Sequence, residues 1–139
     1  MTVEVDAVLA ANTALYEAFE NGDADAMARV WAHDTDERAV RCVHPGAGPV
    51  VGREPVLRSW SLIMANTTYI QFFLTDVTVH VDGSSAVVTC TENVLAGGDD
   101  VTSFGGGAAT ATNGFVREDD GWRMWLHHSS PLPTAVDVP

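Results

Sequence analysis

The chain divides by the period of its apolar residues. From Val5 onward, Val8, Leu9, Leu15, Tyr16 and Phe19 recur at the three- and four-residue spacing of a helix with one buried face, and Asn12 falls in the same stripe. Gly22 can end that helix in a left-handed cap, and Asp23 can cap a second, shorter helix that buries Met27, Val30 and Trp31. Arg38 to Val43 reads as a strand, and Pro45, Gly46, Gly48, Pro49 and Gly52 make the connection after it rich in turns. A third helix begins near Arg53, tolerates Pro55 in its first turn, and aligns Val56, Leu57, Trp60, Ile63 and Met64.

Beyond Asn66 the period becomes two. Tyr69 to Val81 is rich in aromatic and β-branched residues, Asp82-Gly83 is a hairpin turn, and Ala86 to Leu95 is the returning strand. The apolar phase slips between Leu74 and Val77, which predicts a bulge near Thr75. Gly97 to Gly107 reads as a mobile hairpin loop, Ala108 to Arg117 as a strand, and Trp122 to Ser130 as the last strand after the Asp119-Asp120-Gly121 turn. The expected fold is α+β: a cone-shaped roll of curved, mainly antiparallel sheet on three helices from the N-terminal half, ordered α-α-β-β-α-β-β-β-β. One domain is expected over residues 1–131, with 132–139 an extended or disordered tail. The mouth between the helices and the concave face is a pocket for a small molecule.

Charge narrows the choice of partner. The chain has 139 residues, 7 basic and 19 acidic side chains and a net charge of −12; every basic residue is Arg and none forms a run. A nucleic-acid footprint is therefore absent, and the expected ligand is small, apolar or carbonyl-containing, and not strongly anionic. The N-terminus lacks a basic region followed by an apolar stretch, and no run of apolar residues is long enough to cross a bilayer, so no membrane partner and a cytoplasmic location are expected. Cys42 and Cys90 read as small reduced core residues. His33 and His80 read as surface residues.

Several local strings are similar to those of one superfamily: Phe19-Glu20-Asn21-Gly22-Asp23, Cys42-Val43-His44-Pro45-Gly46, Ser59-Trp60, Thr112-Asn113-Gly114-Phe115, and Gly121-Trp122-Arg123 leading to His127-His128-Ser129. With the element order, they resemble the nuclear transport factor 2-like superfamily and its SnoaL-like, ketosteroid isomerase-like members, over roughly Val8 to Pro131. The resemblance implies the cone fold, and with it either an isomerase, polyketide cyclase or dehydratase that takes a proton next to a carbonyl, or a non-catalytic ligand-binding or association module. It implies no cofactor. By position it places His44 where family members carry a catalytic base, usually Asp, with a hydrogen bond across the turn before Pro45 as the alternative role. Asn113 falls at an oxyanion donor position, or serves as a bulge residue beside Gly114. The family's phenol position falls on Leu15, which leaves Tyr16 as a neighbouring substitute or a core residue.

Strand parity adds the remaining candidates. Glu92 shares a face with Ala86, Val88, Cys90 and Val94, so its carboxylate points into apolar surroundings. It then has a raised pKa and an acid/base role, or pairs with Arg123 or a neighbouring His, unless a slip at Asn93 turns it to solvent. On the last strand Trp122, Met124, Leu126 and His128 share the more apolar face, which places His128 at the pocket with Trp60, Phe72 and Phe115 as substrate walls. The opposite face carries Arg123, Trp125 and His127, and an exposed Trp125 there marks the surface for a homodimer. Adjacent histidines on a strand point to opposite faces, so His44, His127 and His128 do not make a metal site.

Overall fold

The computed structural model describes residues 2–97 and 104–133. Helix α1 spans Val3–Asn21, starting two residues before the expected point because the Thr2 hydroxyl accepts the backbone N–H of Val5. Gly22 ends it at φ 60°, and the Asp23 carboxylate caps α2 (Ala24–Val30) by accepting from Ala26 N–H. Both caps agree with the sequence reading. Strands β1 (Arg41–Val43) and β2 (Pro49–Val51) flank the turn-rich stretch, and α3 (Arg53–Ala65) follows with Pro55 in its first turn. Arg53 ties α3 to α2 by donating to the carbonyls of Ala28, Trp31 and Ala32.

Four long strands complete the chain: β3 (Tyr69–Asp82), β4 (Ser85–Gly97), β5 (Phe104–Glu118) and β6 (Gly121–Pro131). They form one six-stranded sheet in the order β2-β1-β6-β5-β4-β3; β1 runs parallel to β6 and the other neighbours are antiparallel. Among the described residues the sheet does not close, since its edge strands β2 and β3 do not pair with each other. This is the α+β architecture the periodicity predicts, with three helices on one face of a curved, mainly antiparallel sheet. Strand β5 starts earlier than expected, because Phe104 to Gly107 continue the ladder with Gly97 to Val94. The rest of the supposed 97–107 loop, and the tail beyond residue 133, lie outside the described residues.

Two bulges bend the sheet. The first falls between Thr75 and Thr78 in β3, where the apolar phase slips, and Asp76 takes the left-handed conformation there at φ 53°. The second is not apparent from the alternation. Between the pairs Gly114–Leu126 and Phe115–Met124, Trp125 has no partner, so the phase of β6 reverses at that point. Trp122 and Met124 face the helices, but beyond the bulge His127 and Ser129 face inward and His128 is exposed. The expected inward position of His128 is thus corrected: His127 takes it. Trp125 is also corrected, being half-buried against the core, with its indole lying across Gly114, and not a free surface aromatic.

A Cβ on Gly114 would stand 2.9 Å from the Trp125 indole nitrogen and 3.3 Å from the Leu126 Cβ. Gly114→Ala is expected to lose about 1–3 kcal/mol of unfolding free energy in urea melts, the usual cost of overpacking a filled site; an unchanged midpoint would contradict this packing. The core lies toward the narrow end of the cone, where Val8, Trp31, Val56, Phe115 and Met124 are all 0% exposed.

Candidate active site

The wide end of the cone is open inside. A cavity of about 380 Å³ is bounded by Tyr16 and Phe19 of α1, His44 and Pro45 after β1, Trp60 and Ile63 of α3, Ile70 and Phe72 of β3, Glu92 and Val94 of β4, Ala109 of β5, and His127 and Ser129 of β6. Each comes to the interior for a local reason. Tyr16 lies on the buried stripe of α1, Glu92 keeps the inward parity of Ala86, Val88 and Cys90, and the Trp125 bulge turns His127 and Ser129 in. A second depression of about 320 Å³, between α1, α2 and β6, is lined by four alanines together with Glu17, Asn21, Arg29, Val30 and Trp122, and its two titratable groups, Glu17 and Arg29, are exposed.

The cavity is apolar except at one end. There Glu92, 4% exposed, accepts a hydrogen bond from the Tyr16 hydroxyl at 2.7 Å on Oε2 and one from Ser129 Oγ at 2.5 Å on Oε1. Arg123 is not its partner; that guanidinium donates to Asp120 and to the Arg29 carbonyl. His127 Nε2 stands 4.0 Å from Glu92 Oε2. Behind this wall Asn113, fully buried, donates from Nδ2 to Asn12 Oδ1 at 2.8 Å and to the Tyr16 hydroxyl oxygen at 3.2 Å, and its Oδ1 lies 2.6 Å from His127 Nδ1. Asn113 thus stands outside the cavity lining with its amide engaged, not free to meet a ligand oxyanion.

Desolvation sets the charges. Burial pushes the Glu92 carboxyl above its ordinary range, although the Ser129 and Tyr16 hydrogen bonds pull the other way. Burial, then the neighbouring His44 and His128, lower His127 to about 3, and burial lowers His44. The Tyr16 phenol is raised, first by burial and then by Glu92, so it keeps its proton. Because the imidazole is uncharged, the 4.0 Å approach of His127 to Glu92 is no ion pair and leaves the carboxyl without a countercharge. The thiol of Cys42, paired in register with His127, is pushed up to about 12 by burial, and burial also raises Cys90, so both keep their protons near neutral pH.

These shifts act on folding in opposite directions. His127 binds its proton more readily unfolded, so its contribution to stability is present above pH ~6.5 and is lost as pH falls toward about 3, by at most ~1.4 kcal/mol per unit. Glu92 binds its proton more readily folded, so stability is lost as pH rises from ~4.3 toward its native pKa. Urea unfolding of Glu92→Gln from pH 7 to 4.5 is therefore expected to weaken more steeply with acid than the wild type. Parallel curves would contradict the raised pKa.

The other candidates separate clearly. Trp60 and Phe72 line the cavity, with Trp60 edge-on to His44 at 4.8 Å and 5.8 Å from the His127 ring centre. Phe115 does not line it; it belongs to the closed core beside Ala86 and Met124, which corrects its expected role as a substrate wall. His44 lines the cavity, but its Nε2 is 3.0 Å from Ser59 Oγ, whose single proton goes to the Val56 carbonyl at 2.7 Å. His127 and Ser129 are the residues that strand parity missed, and Gly114 in mid-strand was the available sign of a bulge; Asn12 is buried on the α1 stripe where helical spacing put it. Among the described residues no cluster of three metal-ligating side chains occurs, and no helix is long and apolar enough to cross a membrane.

Comparison with known proteins agrees with this architecture. The SnoaL-like domain family model matches residues 8–135. A "putative dehydratase from the NTF2-like family" of Streptomyces avermitilis is 48% identical over 94% of this chain and 98% of its own, with a TM-score of 0.87. A "putative calcium/calmodulin-dependent protein kinase type II association domain" of Thiobacillus denitrificans is 37% identical over 90% and 94%, with a TM-score of 0.75. A "putative scytalone dehydratase" of Novosphingobium aromaticivorans shares the fold at 11% identity, over 94% and 85%, with a TM-score of 0.81. No curated protein matches. From its matched span, its fold and its 48% identical relative, the chain belongs to the SnoaL-like domain family within the NTF2-like superfamily.

Proposed function

We propose that this protein is a dehydratase that removes water from a small, neutral β-hydroxy carbonyl compound, with Glu92 as the proton carrier. One observation carries the reading: a buried carboxyl, with no Lys or Arg beside it among the described residues, faces an apolar cavity and a neutral imidazole. A carboxylate so placed is more basic than one in water and is suited to taking a proton from carbon near neutral pH. Glu92 takes the proton α to the carbonyl, the electron pair forms the C=C bond as the β C–O bond breaks, and the new carboxylic acid returns its proton to the departing oxygen as water. The products are an enone and water, and Glu92 is again ionised.

Tyr16 and Ser129 hold Glu92 in place, and Trp60 and Phe72 are the walls against which an apolar substrate packs. No arginine lines the cavity among the described residues, which favours a neutral substrate, and its volume suits a small one. His44 is half-buried with Nε2 engaged by Ser59, so it shapes the cavity wall in this reading and Glu92 acts as the base. The 48% identical relative bears the dehydratase description and supports the same class of reaction. Isomerisation or aldol-type cyclisation would share the proton abstraction but not the loss of oxygen.

The test uses 4-hydroxy-4-phenylbutan-2-one, a neutral β-hydroxy ketone whose dehydration product absorbs in the near ultraviolet. Enzyme-dependent growth of the enone band, lost in Glu92→Gln, is the expected result. No enone together with α-proton exchange would replace the dehydratase by an isomerase or cyclase, and neither would overturn the enzymatic reading.

A second reading, an association module, is favoured by a different observation: Phe73, Val87 and Leu95 are exposed on the outer face of the sheet. The 37% identical relative carries an association-domain description. Pairing of two chains through that face would bury these side chains, and the two readings are compatible. Light scattering at micromolar concentration checks it; a monomer excludes this use of the surface.

A further inference from the structure

The hydrogen-bond network behind the cavity fixes which atom His127 offers to a ligand. Its starting point is the Tyr16 hydroxyl, which has one proton and gives it to Glu92 Oε2 at 2.7 Å. The phenol oxygen can then only accept from Asn113 at 3.2 Å, so Asn113 must turn its NH₂ group toward Tyr16 and its carbonyl oxygen toward His127. Asn12 reinforces this orientation, because its Oδ1 accepts from the same NH₂ group at 2.8 Å. An Asn113 carbonyl 2.6 Å from His127 Nδ1 requires a proton on that nitrogen. In the neutral ring Nε2 then carries a lone pair, and among the described residues it has no hydrogen-bond partner of its own, Glu92 Oε2 being 4.0 Å away and itself an acceptor.

His44 is set the opposite way. Ser59 spends its proton on the Val56 carbonyl, so His44 Nε2 must donate to Ser59 Oγ. The Glu92 oxygens each already receive a hydrogen bond, and the Tyr16 and Ser129 protons are spent on them. Among the described residues, no donor is directed at His127 Nε2, an acceptor on the cavity wall carried by a side chain only 2% exposed, whereas His44 Nδ1 has the Cys42 thiol at 3.9 Å. Water aside, only a ligand donor can satisfy His127 Nε2.

We infer that His127 Nε2 is the recognition point for a substrate hydroxyl, which donates to it within about 4 Å of the carboxylate that moves the proton. The inference deepens the dehydratase reading by naming the group that is read, the β-hydroxyl. It also accounts for the fate of that oxygen: held through its own O–H by His127, it leaves as water on receiving the second proton from Glu92. Tyr16, Asn113 and Asn12 are positioning residues that act through the imidazole. Discrimination follows at this point, since His127 Nε2 accepts and cannot donate, which favours an alcohol over the ketone of the same shape.

The test uses the free protein and the probes 1-indanol and 1-indanone, read by calorimetry and by nitrogen-detected NMR of the histidine side chains at pH 7. The neutral Nδ1–H tautomer at His127 and the Nε2–H tautomer at His44 are expected, with 1-indanol bound about five- to tenfold more tightly than 1-indanone, the effect of one hydrogen bond. The alcohol should shift His127 Nε2 and leave His44 Nε2 unchanged. His127→Phe should abolish the preference; the wild-type measurements stand without it if that variant does not fold. An Nε2–H tautomer or an imidazolium at His127, or a ketone bound as tightly as the alcohol, overturns the inference. Failure to dehydrate the hydroxy ketone with these results intact would remove the dehydratase and leave the recognition point standing.

Discussion

Glu92→Gln lowers the rate of dehydration by about 10²- to 10⁴-fold, the usual contribution of one positioned acid/base group. The substitution keeps the shape of the side chain, and its amide still accepts from Ser129 or Tyr16 through one oxygen, so binding of the ligand should change far less than turnover. It cannot carry a proton. A structural role for Glu92 predicts a different outcome, a loss of stability with parallel losses in binding and rate. The distinction is sharp because replacing a buried carboxylate that lacks a cationic partner removes a desolvation cost, so at pH 7 the variant should be at least as stable as the wild type. Its rate profile should also lose the acid limb that the wild type shows above the ordinary carboxylate range.

Phe115→Ala costs about 3–5 kcal/mol of unfolding free energy, as expected for truncating a large aromatic side chain in a closed core. Phe115 is 0% exposed and packs between Ala86 and Met124, away from the cavity, so the void left by its ring does not enlarge the ligand site. Urea melts measure the loss, and calorimetry with 1-indanol on the folded fraction should give the wild-type affinity. A small stability change with weakened binding would return Phe115 to the cavity wall. Phe72→Ala should behave in the reverse sense, because its half-buried ring lines the cavity and meets the Tyr16 ring at a tilt, with centres 5.0 Å apart.

The two bulges illustrate what alternation reveals and what it conceals. In β3 the extra residue separates Leu74 from Val77, and the apolar phase changes visibly along the chain. In β6 the extra residue is Trp125, flanked by Met124 and Leu126, so three apolar side chains in succession carry no phase and the reversal passes unnoticed. His127 and His128 then exchange places, and Ser129 moves from the outside to the carboxylate. Gly114 opposite was the trace, since a mid-strand glycine marks a close approach that only its missing Cβ allows. Where no bulge intervenes, parity is reliable: Glu92 points inward as Ala86, Val88 and Cys90 do, and Tyr16 falls on the helix stripe beside Asn12. Burial of Asn113 shows the limit of assigning roles by position, because its place on β5 agrees with a donor while its partners use up the amide.

The base is most directly tested by exchange of α-protons into deuterated water, followed across pH for the wild type and Glu92→Gln with 1-indanone as substrate. Wild-type exchange should rise with pH through a single midpoint above the ordinary carboxylate range of about 4.3, and Glu92→Gln should exchange no faster than buffer at every pH. Equal rates in the two proteins, or a wild-type midpoint at or below that of a free glutamate, would contradict Glu92 as the base.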